Sequence, residues 1–200
     1  MRLPYAPHTP EDSNPETHEI YGRIAARRTP RPLIPLDLTL LHAPPVANGY
    51  NSFVGSLRSK TILDPAFRIA VLNNAVYEWN IHAPLALKAG LQVPELQDAR
   101  SLPSFCQATE ESSDAWKKSC LTARQRAVLA YTDAMTESVT VSDDVFQQLV
   151  EAELSDREIV ELTATVAGYN CVSRILVALD VGEMNSREMK NVEDLVANLI

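Results

Sequence analysis

Proline placement constrains this chain more than any other feature. Nine of its thirteen prolines lie within residues 1–45, and none follows Pro103. Proline lacks a backbone N–H and drives the residue before it out of helical geometry. The front of the chain must therefore be largely extended or irregular, while the back is free to be helical. The segment TPRPLIPL (29–36) reads as an extended strap. Residues 1–19 read as an irregular N-terminal arm, and 20–200 as a single helical domain. Within the arm, Asn14-Pro15-Glu16 has the form of a helix start, with proline in the first turn and a helix running on to about Arg27.

From residue 37 onward the periodicity is helical. Leu36 to His42 suggests a short helix stopped by Pro44-Pro45. Residues 45–58 suggest another, with Val46, Tyr50, Phe53, Val54 and Leu57 at helical spacing. Asp64-Pro65 resembles an N-cap with a first-turn proline, opening one long buried helix over 66–90 that ends at Gly90. Pro84 should kink that helix, because it cannot donate to the carbonyl of Asn80. Residues 94–121 are mixed and suggest a short helix followed, through the polar stretch at 108–114, by a surface loop or a half-ordered helix. Thr122-x-x-Gln125 and Ser155-x-x-Glu158 are capping boxes. They open helices to about Ser138 and to Leu179, the second ending near Gly182. Ser142 opens a helix to about Glu151, and 186–199 suggests a last amphipathic helix. No strand-like alternation occurs, so the expected fold class is all-α.

Composition excludes several functions. The 200 residues hold 46% apolar and 22% charged side chains, which is globular usage, and the net charge is −8. An acidic chain is a poor binder of phosphate backbones, so a nucleic-acid partner is not expected. No apolar run approaches the about 20 residues that span a bilayer, and MRLPYAPHTP lacks the apolar core of a secretory signal. A membrane partner is likewise not expected. Cys106, Cys120 and Cys171 are odd in number, widely spaced and form no CxxC. That usage fits reduced thiols and a cytoplasmic protein.

The polar insertion Tyr77-Glu78-Trp79-Asn80-Ile81-His82 interrupts an otherwise apolar helix. Glu78 and His82 are four apart and share a face. A buried carboxylate beside an imidazole fixes its tautomer and makes a proton donor or acceptor for general acid–base catalysis. The alternative is an exposed, solvated Glu–His pair. One histidine and one carboxylate are too few for a zinc centre, and no metal is assigned. Trp79 and Phe53 are candidate pocket walls. Asn73-Asn74 are poor helix formers that either line a cavity or bond neighbouring helices. Arg68 either faces the same cavity or extends to solvent.

Residues 75–90 and 167–182 align without gaps at five identities, Ala75/Ala167, Tyr77/Tyr169, Ala86/Ala178, Leu87/Leu179 and Gly90/Gly182. Helical composition alone can produce such an echo; so can an internally duplicated long helix whose copies pack face to face. The second copy carries Tyr169, Asn170 and Arg174 as candidate substrate-binding residues, with Asn74 from the first. Arg174 either clamps a substrate carboxylate or pairs with Asp180 or a surface glutamate. Cys171 reads as a small core residue.

The segments RIAVLNNAVYEWNIHAPLALKAGL (68–91), LLHAPPVANGYNSFVGSL (40–57) and the stretch 121–182 resemble the carboxymuconolactone decarboxylase family, in the superfamily that includes the alkylhydroperoxidase AhpD. The resemblance implies an AhpD-like helical bundle, a buried site and a homo-oligomer. In the peroxidase branch a CxxC precedes the histidine; its two cysteines fall here on Ala75 and Glu78, and the histidine on His82. Without those thiols, thiol peroxidase chemistry is not expected. An upstream family glutamate falls near Leu63 and is absent, so Glu78 is a candidate for its role. The decarboxylase branch implies a cofactor-free reaction on a small carboxylated lactone or enone, in catabolism or in tailoring of secondary metabolites. His82 is then expected as general acid, Glu78 as its partner or base, and Tyr77 as an oxyanion donor. The same groups would serve an isomerase, dehydratase or cyclase. A non-catalytic binding protein on this fold is the remaining alternative.

Overall fold

The computed structural model describes residues 1–60, 65–107 and 109–197, apart from the side chains at 58–60 and 112. Among these residues the chain is all-α. It comprises α1 (Pro15–Arg28), α2 (Pro35–Leu40), α3 (Pro44–Lys60), α4 (Ala66–Leu72), α5 (Val76–Lys88), α6 (Val93–Ser101), α7 (Glu110–Lys118), α8 (Ala123–Glu137), α9 (Asp143–Glu151), α10 (Asp156–Leu179) and α11 (Val192–Ala197). A single 3-10 turn occupies Phe105–Gln107.

The predicted starts hold where a capping side chain is available. Asn14 Oδ1 accepts from the Glu16 N–H at 3.0 Å, and Pro15 opens α1. Thr122 and Gln125 satisfy one another's backbone donors at the start of α8, as do Ser155 and Glu158 at the start of α10. Ser142 caps α9. The strap starts at Thr29 as expected but is two residues shorter at its far end than 29–36, because α2 already begins at Pro35. The buried Asp37 carboxylate fixes that entry by accepting from the Ile34 N–H and from two nitrogens of Arg28.

Several expectations need correction. The helix expected over 66–90 is two helices, broken at Asn73 to Ala75. The polar stretch after residue 108 is ordered as α7. The last helix is α11, shorter than 186–199 among the described residues. The expected Asp64 cap lies outside the described residues. The arm is irregular only as far as Asn14, and it is docked rather than loose. Ala6 is buried and donates to the Leu38 carbonyl, while the Arg2 N–H reaches the Leu179 carbonyl at 2.9 Å. Finally, α10 does have the length and composition to cross a membrane, but half of its most apolar stretch is buried inside the fold. It serves here as a core helix.

Two cores result. One joins Ile20, Ile24, Leu36, Val54, Leu149, Leu162, Val166 and Tyr169, from α1, α2, α3, α9 and α10. The other joins Phe67, Trp79, Leu96, Trp116, Leu129, Val192 and Leu195 around α4 and α5. Each large apolar side chain buried this way contributes about 1.5–3 kcal/mol. The helix α5 thus has one face against the second core and another free to meet α10.

Candidate functional site

The orientation of α5 is set by how α4 stops. Asn74 takes a left-handed conformation, φ 49°. Its N–H reaches the Val71 carbonyl at 3.2 Å, and the Ala75 N–H reaches the Ala70 carbonyl at 2.8 Å. This pair of bonds is a Schellman ending, and asparagine tolerates the left-handed position better than most residues do. The turn restarts the chain as α5 in a new direction, with Glu78 and His82 facing α10. The same ending closes α5 at Gly90, φ 106°, as the sequence predicts. It closes α10 at Asp180 rather than at Gly182.

Both members of the expected acid–base pair are buried. Glu78 is 1% exposed and His82 is 4% exposed. The solvated-pair alternative therefore does not hold. Ser173 Oγ of α10 donates to Glu78 Oε2 at 2.5 Å. The His82 ring packs edge-on against Tyr169 of α10, with centroids 4.7 Å apart and planes at 79°. One turn forward on α5 is matched by one turn back on α10, so the two helices meet antiparallel along this seam. The two copies of the sequence echo do meet here, but in an offset register. The spatial partners of Glu78 and His82 are Ser173 and Tyr169, not the echo positions Asn170 and Arg174.

A pocket of about 320 Å3 opens beside the seam, lined by Asn73, Ser173, Arg174, Val177 and Ala178. Its polar rim is a connected network. Asn170 donates to Thr136 Oγ1 at 2.9 Å and to the Val166 carbonyl, and its side-chain oxygen accepts from Asn73 and from Arg174 Nη1. Arg174 Nη1 also reaches the Asn170 carbonyl at 2.9 Å. Arg174 is exposed, and among the described residues it makes no ion pair with Asp180 or any glutamate and hydrogen-bonds through Nη1 alone. The guanidinium is held on one side and open on the other, a disposition that suits a planar anion.

Four expected site residues lie elsewhere. Tyr77, one position before Glu78, projects roughly 100° away around the helix. Its ring packs on Gly182, where an added Cβ would come within 2.8 Å of it. Burial is the main cause that pushes its phenol up to about 12, followed by the negative charge of Asp37; it does not meet the Glu78–His82 face. Trp79 is fully buried in the second core, donates to the Lys190 carbonyl at 2.8 Å and carries Arg100 over its ring. Phe53 is half exposed on α3 and lies over Gly168 of α10, away from the pocket lining. Asn74 is exposed at the turn, and its neighbour Asn73 is the one that lines the pocket. For Tyr77 and Trp79 the physical reason is shared: neighbours on a helix point in different directions, and the break at 73–75 rotates α5 relative to a continuous helix; Asn74 is displaced because it forms the break itself, and Phe53 because it sits on α3 against Gly168.

Other residues are also relocated. Cys171 is exposed rather than in the core, as are Cys106 and Cys120. Arg68 neither faces the pocket nor extends to solvent. It is fully buried and grips Asp133 through Nε at 2.7 Å and Nη2 at 2.5 Å, while Nη1 donates to the Ala99 and Leu102 carbonyls. Sequence reasoning missed Ser173. The available signal was a small hydroxyl one turn after Tyr169 in an apolar helix.

No protein-family model and no curated protein sequence matches this chain. Solved structures do. A protein of unknown function from Agrobacterium tumefaciens, provisionally described as an antioxidant-defence protein AhpD, superposes with a TM-score of 0.58 at 20% identity. The match covers 76% of this chain and 96% of that one. The AhpD core of an uncharacterised peroxidase-related protein from Ralstonia eutropha gives 0.55 at 18% identity, covering 90% of each chain. An uncharacterised peroxidase-related protein from a Silicibacter species gives 0.59 at 16% identity, covering 92% and 95%.

The chain has the AhpD-like fold. The two positions onto which the sequence resemblance carried the peroxidase branch's cysteines hold Ala75, at the N-cap of α5, and Glu78. The position of the upstream family glutamate, near Leu63, lies outside the described residues. Among the described residues no group of three His, Cys, Asp or Glu side chains converges as a metal site would require. What the AhpD-like fold positions in this chain is a buried carboxyl, a hydroxyl and an imidazole along one seam, beside a pocket rimmed by an arginine.

Proposed function

We propose that the protein is a cofactor-independent decarboxylase acting on a small carboxylated lactone or enone. The observation that carries this reading is the joint burial of Glu78 and His82 against α10, next to a pocket whose rim presents the open side of Arg174. Loss of CO2 from such a substrate leaves a dienolate, which needs an enclosed site and then a proton at carbon. His82 is the general acid in this reading, and Glu78 its partner or the base. Arg174, held by Asn170, receives a carboxylate of the substrate, with Val177 and Ala178 as apolar wall. Tyr77 is left out, because its ring packs on Gly182. A thiol peroxidase is disfavoured because Ala75 and Glu78 supply no thiolate on α5.

The same reading takes the protein to be a cytoplasmic homo-oligomer. Ile81 and Leu85, exposed one turn apart on α5, support self-association.

The test is CO2 release from a panel of carboxylated lactones and β-keto acids by the wild type, Glu78→Gln and His82→Ala. Release by the wild type, falling about 100-fold or more in either folded variant, is expected of a lost acid–base group. Turnover without CO2 would reassign the same site to isomerisation, dehydration or cyclisation. Ligand binding without turnover would make the protein a binding module.

A further inference from the structure

A second pocket, of about 300 Å3, lies where the N-terminal arm meets α1 and the junction of α2 with α3. None of its lining residues belongs to α5 or α10. The arm segment that lines it is pinned at both ends. His42 Nε2 donates to the Pro4 carbonyl at 2.6 Å, and His18 Nε2 donates to the Asp12 carbonyl at 2.7 Å. Pro7, Pro10, Leu41 and Pro44 give the pocket apolar walls, and the pinned arm adds the carboxylates of Glu11 and Asp12.

Four polar groups here are not used up by the fold. Thr17 and Tyr21, one turn apart on α1, are 7% and 6% exposed. Neither hydroxyl has a hydrogen-bond partner among the described residues, and neither oxygen is sealed from open space. The little of each side chain that is open therefore includes its hydroxyl, and the space it meets is the pocket that both residues line. Hydroxyls buried this deeply ordinarily find a partner. Glu11 makes no ion pair and accepts no hydrogen bond among the described residues. Asp12 spends Oδ1 on the Asn14 N–H at 2.9 Å, at the start of α1, and leaves Oδ2 free. After burial, the charges of Asp12 and then Glu11 raise the Tyr21 phenol, so carboxylates and phenol share one space. No lysine or arginine lines the pocket.

We propose that this pocket is a binding site for a primary alkylammonium. The inference is independent of the decarboxylase reading. An –NH3+ group has three N–H donors and no acceptor. Glu11, Asp12 Oδ2 and the two hydroxyls offer it acceptors, and the carboxylates make the bonds charge-assisted. The alkyl chain packs on the proline rings and Leu41. A quaternary ammonium would leave those acceptors unpaired, and an anion would face two carboxylates with no cation to offset them. A metal would need more converging ligands than the described residues bring together. The ammonium arrives either as a free amine or at the tip of a lysine side chain on another protein.

The test is a titration of the whole chain with pentylammonium chloride, followed by NMR of the backbone amides, with thermal unfolding as a second readout. Saturable shifts centred on residues 6–21 and 41–44, with a raised Tm, are expected. The uncharged counterpart n-pentanol should bind at least about tenfold more weakly, because the pairing with the carboxylates is lost. Glu11→Gln, at an exposed position, should weaken pentylammonium about tenfold. Tyr21→Phe keeps the ring and removes only the hydroxyl; it should weaken binding about threefold or more, which diffuse attraction of a cation to an acidic protein would not show. Nα-acetyl-lysine methylamide separates the two sources. If it binds more tightly than pentylammonium, the site takes a lysine side chain; if more weakly, a free amine. Pentanol binding as well as pentylammonium overturns the proposal. So do shifts spread over the whole acidic surface with both variants within about twofold of wild type, or no saturation up to about 50 mM.

Discussion

Tyr77 and Glu78 are adjacent in sequence, yet they lie in different surroundings and answer to different measurements. The Tyr77 phenol is held from an ordinary 10.0 up to about 12, chiefly by burial. An acid whose proton is held more tightly in the folded state costs stability only once the unfolded state begins to release it. The fold should therefore lose stability as pH rises from about 10 to about 12. For a displacement of this size the linked loss is about 2–3 kcal/mol. Tyr77→Phe should flatten that alkaline loss in urea unfolding, with little effect on CO2 release. Arg68 and Asp133 make a second residue-scale prediction. Asp133→Asn leaves a guanidinium in the interior without its counter-charge and should cost about 3–5 kcal/mol. Equilibrium unfolding measures this directly, and a loss under 1 kcal/mol would contradict the buried, bidentate geometry.

At the scale of elements, the break between α4 and α5 does the most to build the site. Asn74 occupies the left-handed position that turns the chain. A β-branched residue there should cost about 1–2 kcal/mol, so Asn74→Val is expected to destabilise by that amount and to weaken turnover by displacing Glu78. Asn74→Gly should leave both nearly unchanged. At the same end of the seam, Gly182 combines φ 74° with the close approach of the Tyr77 ring. Gly182→Ala is expected to cost about 1–3 kcal/mol for these two reasons together. These elements also mark what the sequence made legible. Helix starts announced by Asn14, Thr122, Ser142 and Ser155 were readable, because a cap is a local side-chain-to-backbone bond. The break at Asn73-Asn74 was half readable: both residues are poor helix formers, but an apolar run on each side of them outweighed that signal. Which of Tyr77, Glu78 and Trp79 meets α10 was not readable at all, since it depends on the rotation the break imposes. Ser173 was hidden for the same reason, being identified only by what faces it across the seam.

For the whole molecule, acid lability should come from carboxylates held ionised by the fold. Glu158, Asp180 and Glu183 are each held below the ordinary carboxylate value, through the Ser155 backbone N–H, the Asn185 N–H and the N-terminal ammonium respectively. Groups shifted this way stabilise the fold above their unfolded values and lose that contribution as pH falls through the folded ones. Stability should accordingly decline below about pH 4.5. Exchanging Ser155 for Ala keeps that backbone N–H but removes the hydroxyl, the next cause that lowers Glu158, and should lessen part of its contribution, as thermal unfolding against pH would show. The docked arm, two cores and the antiparallel seam leave α5 and α10 as the shared wall between structure and chemistry, with proton transfer along the seam as the central claim. The measurement that tests it most directly is NMR observation of the His82 imidazole and the Ser173 amide during addition of carboxylated lactones and β-keto acids. Signals at both positions that move together on binding, in a sample that also releases CO2, are the predicted result. Signals that ignore every acid in the panel, while the protein stays folded, would contradict it.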